Sequence, residues 1–172
     1  MRDDGRGWRE PHRRAARRLG RTHRVELSGG PLLHQDWIEA ELALDNAETD
    51  MGDPTEWMST HPEYLHALLH DPLTWKGGFR RETLLAITAT RPEIGVGLAN
   101  GQPDVPILFV HGEADPIVPV NDARHVVEQL TQASLRTLPG DLHDVLNEHD
   151  RDRVHDVVAT FVTSMPAQLP VR

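Results

Sequence analysis

The sequence predicts an α/β fold in which short parallel strands alternate with helices, and two observations carry that prediction. Residues 105–110 form an almost continuous apolar run that ends at His111-Gly112, which is typical of a parallel strand buried on both faces. Residues 121–130 then place apolar side chains at the i, i+3, i+4, i+7 spacing of a helix with one buried face. Because such a strand needs neighbours on both sides, we expect further strands beside it.

The rest of the C-terminal half continues this alternation. Residues 134–138 are a second strand candidate, which Pro139-Gly140 terminates. A second helical stripe begins at Asp150, and Asn121 is the expected N-cap of the first helix. The order strand, loop, helix, strand, loop, helix predicts that the loops after both strands open on the same edge of the sheet.

Each of these two loops carries a candidate site residue. Asp115 precedes Pro116, which favours an extended backbone and places the carboxylate at the end of a strand, where open α/β sheets build their sites. His143 follows the second strand, so we expect the two side chains to meet. Taken singly, Asp115 is equally compatible with an ordinary turn residue and His143 with a solvated loop histidine.

The segment from about residue 105 to 162, with its words Val-His-Gly-Glu-Ala-Asp115 and Gly-Asp-Leu-His143, resembles the C-terminal part of an α/β hydrolase. Its wording is similar to the monoacylglycerol lipase and lysophospholipase branch. The triad of that superfamily runs Ser, Asp or Glu, then His along the chain. The resemblance therefore implies that Asp115 is the acid and His143 the base of a carboxylic ester hydrolase that uses no metal or organic cofactor.

The residue types suit that chemistry. A neutral imidazole removes the proton of a serine hydroxyl as the oxygen attacks an ester carbonyl, and later returns it to the leaving alcohol. The carboxylate holds the imidazole in the required tautomer and stabilises the imidazolium. The implied substrate of intact relatives is a lipid-like ester, either a monoacylglycerol or a lysophospholipid.

The nucleophile that this family requires is missing from the sequence. The nucleophile elbow reads G-x-S-x-G, and none of the four serines fits it: Ser28 lacks a glycine two positions before it, and Ser59, Ser134 and Ser164 lie in other contexts. The His111-Gly112 pair directly precedes the acid, so we interpret it as the exit of the strand and not as an oxyanion loop. We therefore expect the chain as written to be an inactive esterase.

Four segments are predicted. Residues 1–24 are an arginine-rich arm with a charge balance of +6, expected to be disordered, whereas the other 148 residues have a balance of −15. Residues 25–34 read as the remnant of a core strand and its exit loop. Residues 35–98, with helices expected near 35–44, 62–70 and 79–90, resemble the helical cap of this branch, and residues 99–172 are the hydrolase core.

The 172-residue length favours one domain, shorter than a complete hydrolase of this branch, so we expect a truncated form. The strand edge that such truncation exposes could be covered by oligomerisation. The basic arm could touch nucleic acid or an anionic membrane, but no nucleic-acid motif accompanies it, and no nucleic-acid partner is expected. Without a visible signal peptide or transmembrane segment, a cytoplasmic protein is the default, and the lack of cysteines leaves the redox compartment undetermined.

Two alternatives stay open to test. The His-Asp pairs that begin at positions 143, 149 and 155, with a fourth at His70, invite a metal-dependent phosphohydrolase. The six-residue spacing of the first three turns helical side chains about 120° apart and does not match the i, i+4 spacing of paired metal ligands. The second alternative is a non-catalytic module that keeps the cap and half sheet in order to bind a lipid or a partner.

Overall fold

Three parallel strands form the centre of the molecule. The computed structural model describes residues 24–164 except 31, 32 and 34. Strands β1 (Val25–Ser28), β2 (Ile107–Gly112) and β3 (Ala133–Leu138) lie in the order β1-β2-β3, and both strand pairs are parallel. The predicted α/β class is therefore confirmed, and the carboxyl ends of all three strands meet at one edge of the sheet.

Strand β2 is buried over its whole length, as its apolar run predicts. Its side chains alternate between two core clusters, because successive residues of a strand point to opposite faces. On one face Ile107 and Phe109 pack with Leu98 and with the helix that follows β2, and on the other face Leu108 and Val110 pack with Val154 of the last helix. The strand that leads to Asp115 is consequently the most deeply anchored element of the described chain.

Two helices flank this sheet. They are Val120–Gln129, which follows β2, and Arg151–Thr163, which follows β3, and they are labelled α4 and α5 below. The first of them begins at Val120, with Pro119 and not Asn121 as its N-cap, so the predicted cap is wrong by two positions. Val120 is buried, and its packing extends the helix past the polar residue that would otherwise cap it. The Asn121 side chain accepts a hydrogen bond from Arg124 instead.

The segment between β1 and β2, for which the word cap is used below as a label only, is helical. It contains α1 (Asp36–Ala43), a 3₁₀ turn (Pro54–Glu56), α2 (Pro62–His70) and α3 (Arg81–Ala99). Helix α3 continues through Pro92 to Ala99, beyond the end at residue 90 that the sequence predicts. A proline removes one helical hydrogen bond, but Ile94 and Leu98 beyond it pack on the core under the sheet, which favours continuation of the helix.

The predictions for the arginine-rich arm fall largely on residues 1–23, which lie outside the described residues. Among the helices that the structure does describe, none combines the length and the apolar character needed to cross a membrane.

Candidate active site

Asp115 lies in the loop that leaves β2, and its carboxylate is completely buried, with a side-chain exposure of 0 %. The loop folds back so that the backbone N–H groups of Ile117 and Val118 donate to Asp115 Oδ1 at 2.8 and 3.0 Å. These two bonds fix one carboxylate oxygen and leave Oδ2 directed at other partners. The Asp-Pro sequence thus produces a rigidly held anion at the edge of the sheet.

His143 meets this carboxylate, as the sequence predicts for the two loops. The distance from His143 Nδ1 to Asp115 Oδ2 is 2.9 Å, and a quarter of the histidine side chain (25 %) remains exposed. An N–H on Nδ1 that donates to the carboxylate leaves Nε2 as the nitrogen with a lone pair. Within the described residues no hydrogen bond to Nε2 is present, so this nitrogen is available to a substrate or to a nucleophile.

A second histidine touches the same carboxylate and was assigned only a structural role from the sequence. The buried His111 places Nε2 at 2.7 Å from the carbonyl oxygen of Val118 and at 3.4 Å from Asp115 Oδ2. The signal for this contact was the i, i+4 spacing of His111 and Asp115 around the strand exit. The predicted role of His111-Gly112 as the exit of the strand agrees with its place at the end of β2.

These contacts shift the pKa values of Asp115 and His111. Burial alone raises the pKa of Asp115, but hydrogen bonds from His111, His143 and the Val118 N–H outweigh burial and hold this pKa well below its usual range. Burial lowers the pKa of His111, yet its hydrogen bonds to Asp115 and to the Val118 carbonyl raise that pKa overall. Asp115 is therefore a stable anion that orients the imidazole of His143.

Two glycines allow the His143 loop to approach the strand ends. A Cβ on Gly112 would lie 2.1 Å from the carbonyl oxygen of Leu142, and a Cβ on Gly29 would lie 2.8 Å from Cε1 of His143. Gly29 also has a positive φ of 58°, which side chains other than glycine rarely adopt. The chain that leaves β1 at Gly29 therefore runs directly against the imidazole.

The cap contacts the His143 loop through its backbone. The N–H of His143 donates to the carbonyl oxygen of Trp57 at 3.1 Å, and the N–H of Asp144 donates to that of Met58 at 2.7 Å. The hydroxyl of Tyr64 in α2 donates to the Asp144 carboxylate. His143 is thus held on one side by the sheet and on the other by the segment between β1 and β2.

An apolar cavity of about 290 Å³ lies inside the cap, next to this contact. Trp57 joins the cavity to the histidine, because it lines the cavity and its ring meets the imidazole edge-on at 6.3 Å between centroids. Further apolar side chains in the wall include Met51, Pro54, Met58, Leu68, Trp75 and Phe79.

The hydroxyls of three of the four serines are engaged by the main chain. The hydroxyls of Ser59, Ser134 and Ser164 donate to main-chain carbonyl oxygens. Ser28 closes β1. Although all four serines fall within the described residues, no hydrogen bond joins any of their hydroxyls to His143.

The histidines that suggested a metal site are dispersed. His149 stacks on His61 of the cap with 4.8 Å between ring centroids, whereas His155 Nε2 contacts the carbonyl oxygen of Leu146. In the part of the chain that the structure describes, no group of three or more histidine or carboxylate side chains is placed to hold a metal ion.

Comparison with known proteins gives a consistent family. The family model described as serine aminopeptidase, S33, matches residues 14–150. The monoacylglycerol lipase of Mycolicibacterium smegmatis is 29 % identical over 129 residues, which cover 72 % of this chain and 42 % of that protein.

Two solved structures have the same fold. The monoacylglycerol lipase of Paleococcus ferrophilus superimposes with a TM-score of 0.67 at 15 % identity, over 88 % of this chain and 63 % of that one. A soluble variant of monoglyceride lipase from Saccharomyces cerevisiae, in complex with a substrate analog, gives 0.61 at 15 % identity, over 80 % and 54 %. This chain therefore spans between about two fifths and just under two thirds of the length of these relatives.

Proposed function

The chain belongs to the serine aminopeptidase S33 family of α/β hydrolases, and from this premise we propose that it carries the acid–base pair and the acyl-binding cap of a monoacylglycerol lipase-type esterase. Asp115 is the proposed acid and His143 the proposed base. The observation that carries the proposal is the 2.9 Å contact between His143 Nδ1 and Asp115 Oδ2 beside the apolar cavity of the cap.

The geometry supports general base catalysis by His143. Its Nδ1 is engaged by a buried anion, and its ring is partly exposed, so Nε2 can accept the proton of an attacking hydroxyl and return it to the leaving alcohol. Asp115 stabilises the imidazolium that forms in between, because the pKa of its carboxyl is held low and it stays ionised throughout.

The cavity supports a lipid ester as the substrate. Its wall is formed largely by apolar and sulfur-containing side chains, and each methylene group buried there would contribute about 0.8 kcal/mol to binding. Trp57 extends from this wall to His143, so an acyl chain bound in the cavity would place its ester group near His143. The similarity to monoacylglycerol lipases favours a monoacylglycerol over the lysophospholipid that the sequence equally suggests.

We further propose that the 172-residue chain does not hydrolyse this ester by itself. Its sequence contains no G-x-S-x-G elbow, and the backbone N–H after the elbow serine is also one of the oxyanion donors in this fold. Without the nucleophile, only binding and charge stabilisation remain. The non-catalytic binding module is the second candidate, and the same missing elbow favours it.

A fluorophosphonate probe tests the absence of a nucleophile. We expect no stoichiometric labelling of the intact chain, and no release of fatty acid from a monoacylglycerol or a lysophospholipid. A Ser28→Ala variant is the control, because Ser28 directly precedes the backbone that contacts His143. Labelling of the wild type that disappears in this variant would identify Ser28 as a nucleophile and overturn the proposal.

Calorimetry with a non-hydrolysable ether analogue of a monoacylglycerol tests the cavity. We expect saturable binding that weakens when Leu68, in the cavity wall, is changed to glutamine. The matched control is Leu85→Gln, which alters an exposed leucine of α3 outside the wall. Equal affinity of both variants for the analogue would contradict the proposal that the cavity binds the acyl chain.

A further inference from the structure

Glu148 has a carboxylate that the proposed reaction does not use, yet it is completely buried, with 0 % exposure. The burial of an ionised carboxylate is costly unless hydrogen bonds replace its water shell. Here several donors surround it: the N–H of Thr60 at 2.9 Å from both oxygens, the Thr60 hydroxyl at 2.7 Å and the N–H of Leu142 at 3.1 Å. Burial raises the pKa of Glu148, but these hydrogen bonds outweigh burial and lower it overall.

The donors come from two different parts of the molecule. Thr60 belongs to the cap, just after the residues 57–58 that receive the N–H groups of His143 and Asp144. Leu142 directly precedes His143, in the loop that follows β3. The Glu148 carboxylate therefore joins cap and loop at a point one peptide away from the base.

The cap residues involved also face the apolar cavity. Trp57 and Met58 line the cavity, and Ser59, which is buried, donates to the carbonyl oxygen of Asn147. Residues 57–60 thus form a short strap, with the cavity at one end and the Glu148 carboxylate at the other. Displacement of the strap would move both the cavity wall and the backbone that supports His143.

We propose that Glu148 is a positioning residue for His143: its buried carboxylate fastens the strap 57–60 to the His143 loop, so that the acyl-binding cavity and the base keep one fixed arrangement. The inference rests on the proposed function, since it takes His143 as the base. Glu148 acts through Leu142 and Thr60, to which its carboxylate is hydrogen-bonded.

The test is the ring N–H resonance of His143 in the full chain, labelled with ¹⁵N-histidine. In the wild type we expect a downfield Nδ1 proton that exchanges slowly with water, because it donates to the buried Asp115 carboxylate. In Glu148→Gln, whose amide NH₂ would face the N–H donors, we expect that proton to exchange about tenfold faster, as suits the loss of a hydrogen bond to a charged group. Thr60→Val, which removes only the hydroxyl donor, should give a smaller change in the same direction.

Tyr64→Phe is the matched control. It removes another hydrogen bond between cap and loop, to the Asp144 carboxylate, but leaves the Glu148 contacts intact, so the His143 proton should exchange clearly more slowly than in Glu148→Gln. An unchanged His143 signal in a folded Glu148→Gln variant would overturn the proposal, and so would an equal change in Tyr64→Phe. If Glu148→Gln does not fold, an unchanged signal in Thr60→Val would overturn it.

A second arm separates this inference from the proposed function. The ether analogue of a monoacylglycerol should shift the His143 resonances of the wild type on binding, and should shift them less in Glu148→Gln. If the analogue does not bind the wild type, the proposal that the cavity binds an acyl chain is wrong. The exchange rates of the ligand-free variants still decide the role of Glu148. A ligand-induced shift of equal size in both proteins would contradict the proposed coupling.

Discussion

The proposed acid and the proposed base of the candidate site are held by different forces. Asp115 follows β2, whose six residues are all buried between two apolar clusters. His143 lies in the loop after β3, a strand in which only Leu138 is buried, and it is held by hydrogen bonds to the cap and to Asp115. The strand that leads to Asp115 is therefore anchored by the hydrophobic core, whereas His143 depends mainly on polar contacts with a helical segment that is more exposed.

This difference suggests which part of the site can adapt. Burial of a whole strand stabilises its position by many small contributions that no single polar change removes. A loop held by a few hydrogen bonds responds to the loss of each one. The cap can thus affect the base while the acid stays in place.

The strongest disruption is expected on the acid side. Phe109→Ala removes a buried aromatic ring from the cluster beneath the sheet, and should lower the free energy of unfolding by about 3–5 kcal/mol. Urea denaturation followed by circular dichroism measures this loss. A loss below about 1 kcal/mol would show that β2 is not the anchor described above.

Removal of the carboxylate itself should come next. Asp115→Ala leaves the N–H groups of Ile117 and Val118 and the ring of His111 without their buried acceptor, at a cost of about 3 kcal/mol. Asp115→Asn keeps one acceptor oxygen and should lose clearly less in the same urea experiment. Equal losses in the two variants would mean that Asp115 Oδ1 does not hold the loop.

The base side should respond to pH near neutrality. Burial, followed by the charges of Asp150 and Glu148, raises the pKa of Asp141 to about 7. The folded protein therefore holds the Asp141 proton more tightly than the unfolded chain does. The contribution of this proton to the free energy of unfolding is fully present below about pH 4 and is lost as the pH rises through about 7. Asp141→Asn should therefore raise the Tm by a few degrees at pH 8 and leave it unchanged at pH 4.

A thermal melt at both pH values checks this prediction. The control is Asp156→Asn, in an exposed position of α5, which should not change the Tm differently at the two pH values. An Asp141→Asn variant that gains as much at pH 4 as at pH 8 would contradict the pKa argument.

The smallest effect is expected for a single contact between cap and loop. Tyr64→Phe removes the hydroxyl that donates to Asp144, and should cost about 1 kcal/mol in the free energy of unfolding. Urea denaturation is again the measurement. A loss as large as that of Phe109→Ala would place the cap among the main stabilising elements and abolish the contrast between the two sides.

The sequence predicted the acid side well because its signals are local. The apolar run of β2 and the helical spacing after Asp115 are periodic patterns that each element carries in its own residues. The approach of His143 to Asp115 followed from the parallel order of the strands. The contact of His111 with the same carboxylate was missed, although its i, i+4 spacing was visible.

The base side could not be predicted in the same way. Glu148 looks like an ordinary acidic loop residue, and only the folded arrangement brings Thr60, 88 positions away, to its carboxylate. The continuation of α3 past Pro92 has the same origin, since the packing of Leu98 against the sheet outweighs the local preference of proline. Such contacts depend on tertiary structure and leave no periodic pattern in the sequence.

The most direct test of the central claim is a chimera. The part of Mycolicibacterium smegmatis monoacylglycerol lipase that precedes the strand matching β1 would be joined to residues 25–172, and the release of fatty acid from a monoacylglycerol measured. We expect hydrolysis that is abolished by His143→Ala and reduced about 10⁴-fold by Asp115→Asn. A chimera that folds, binds the fluorophosphonate probe and hydrolyses the ester equally well with His143→Ala would contradict the assignment of the acid–base pair.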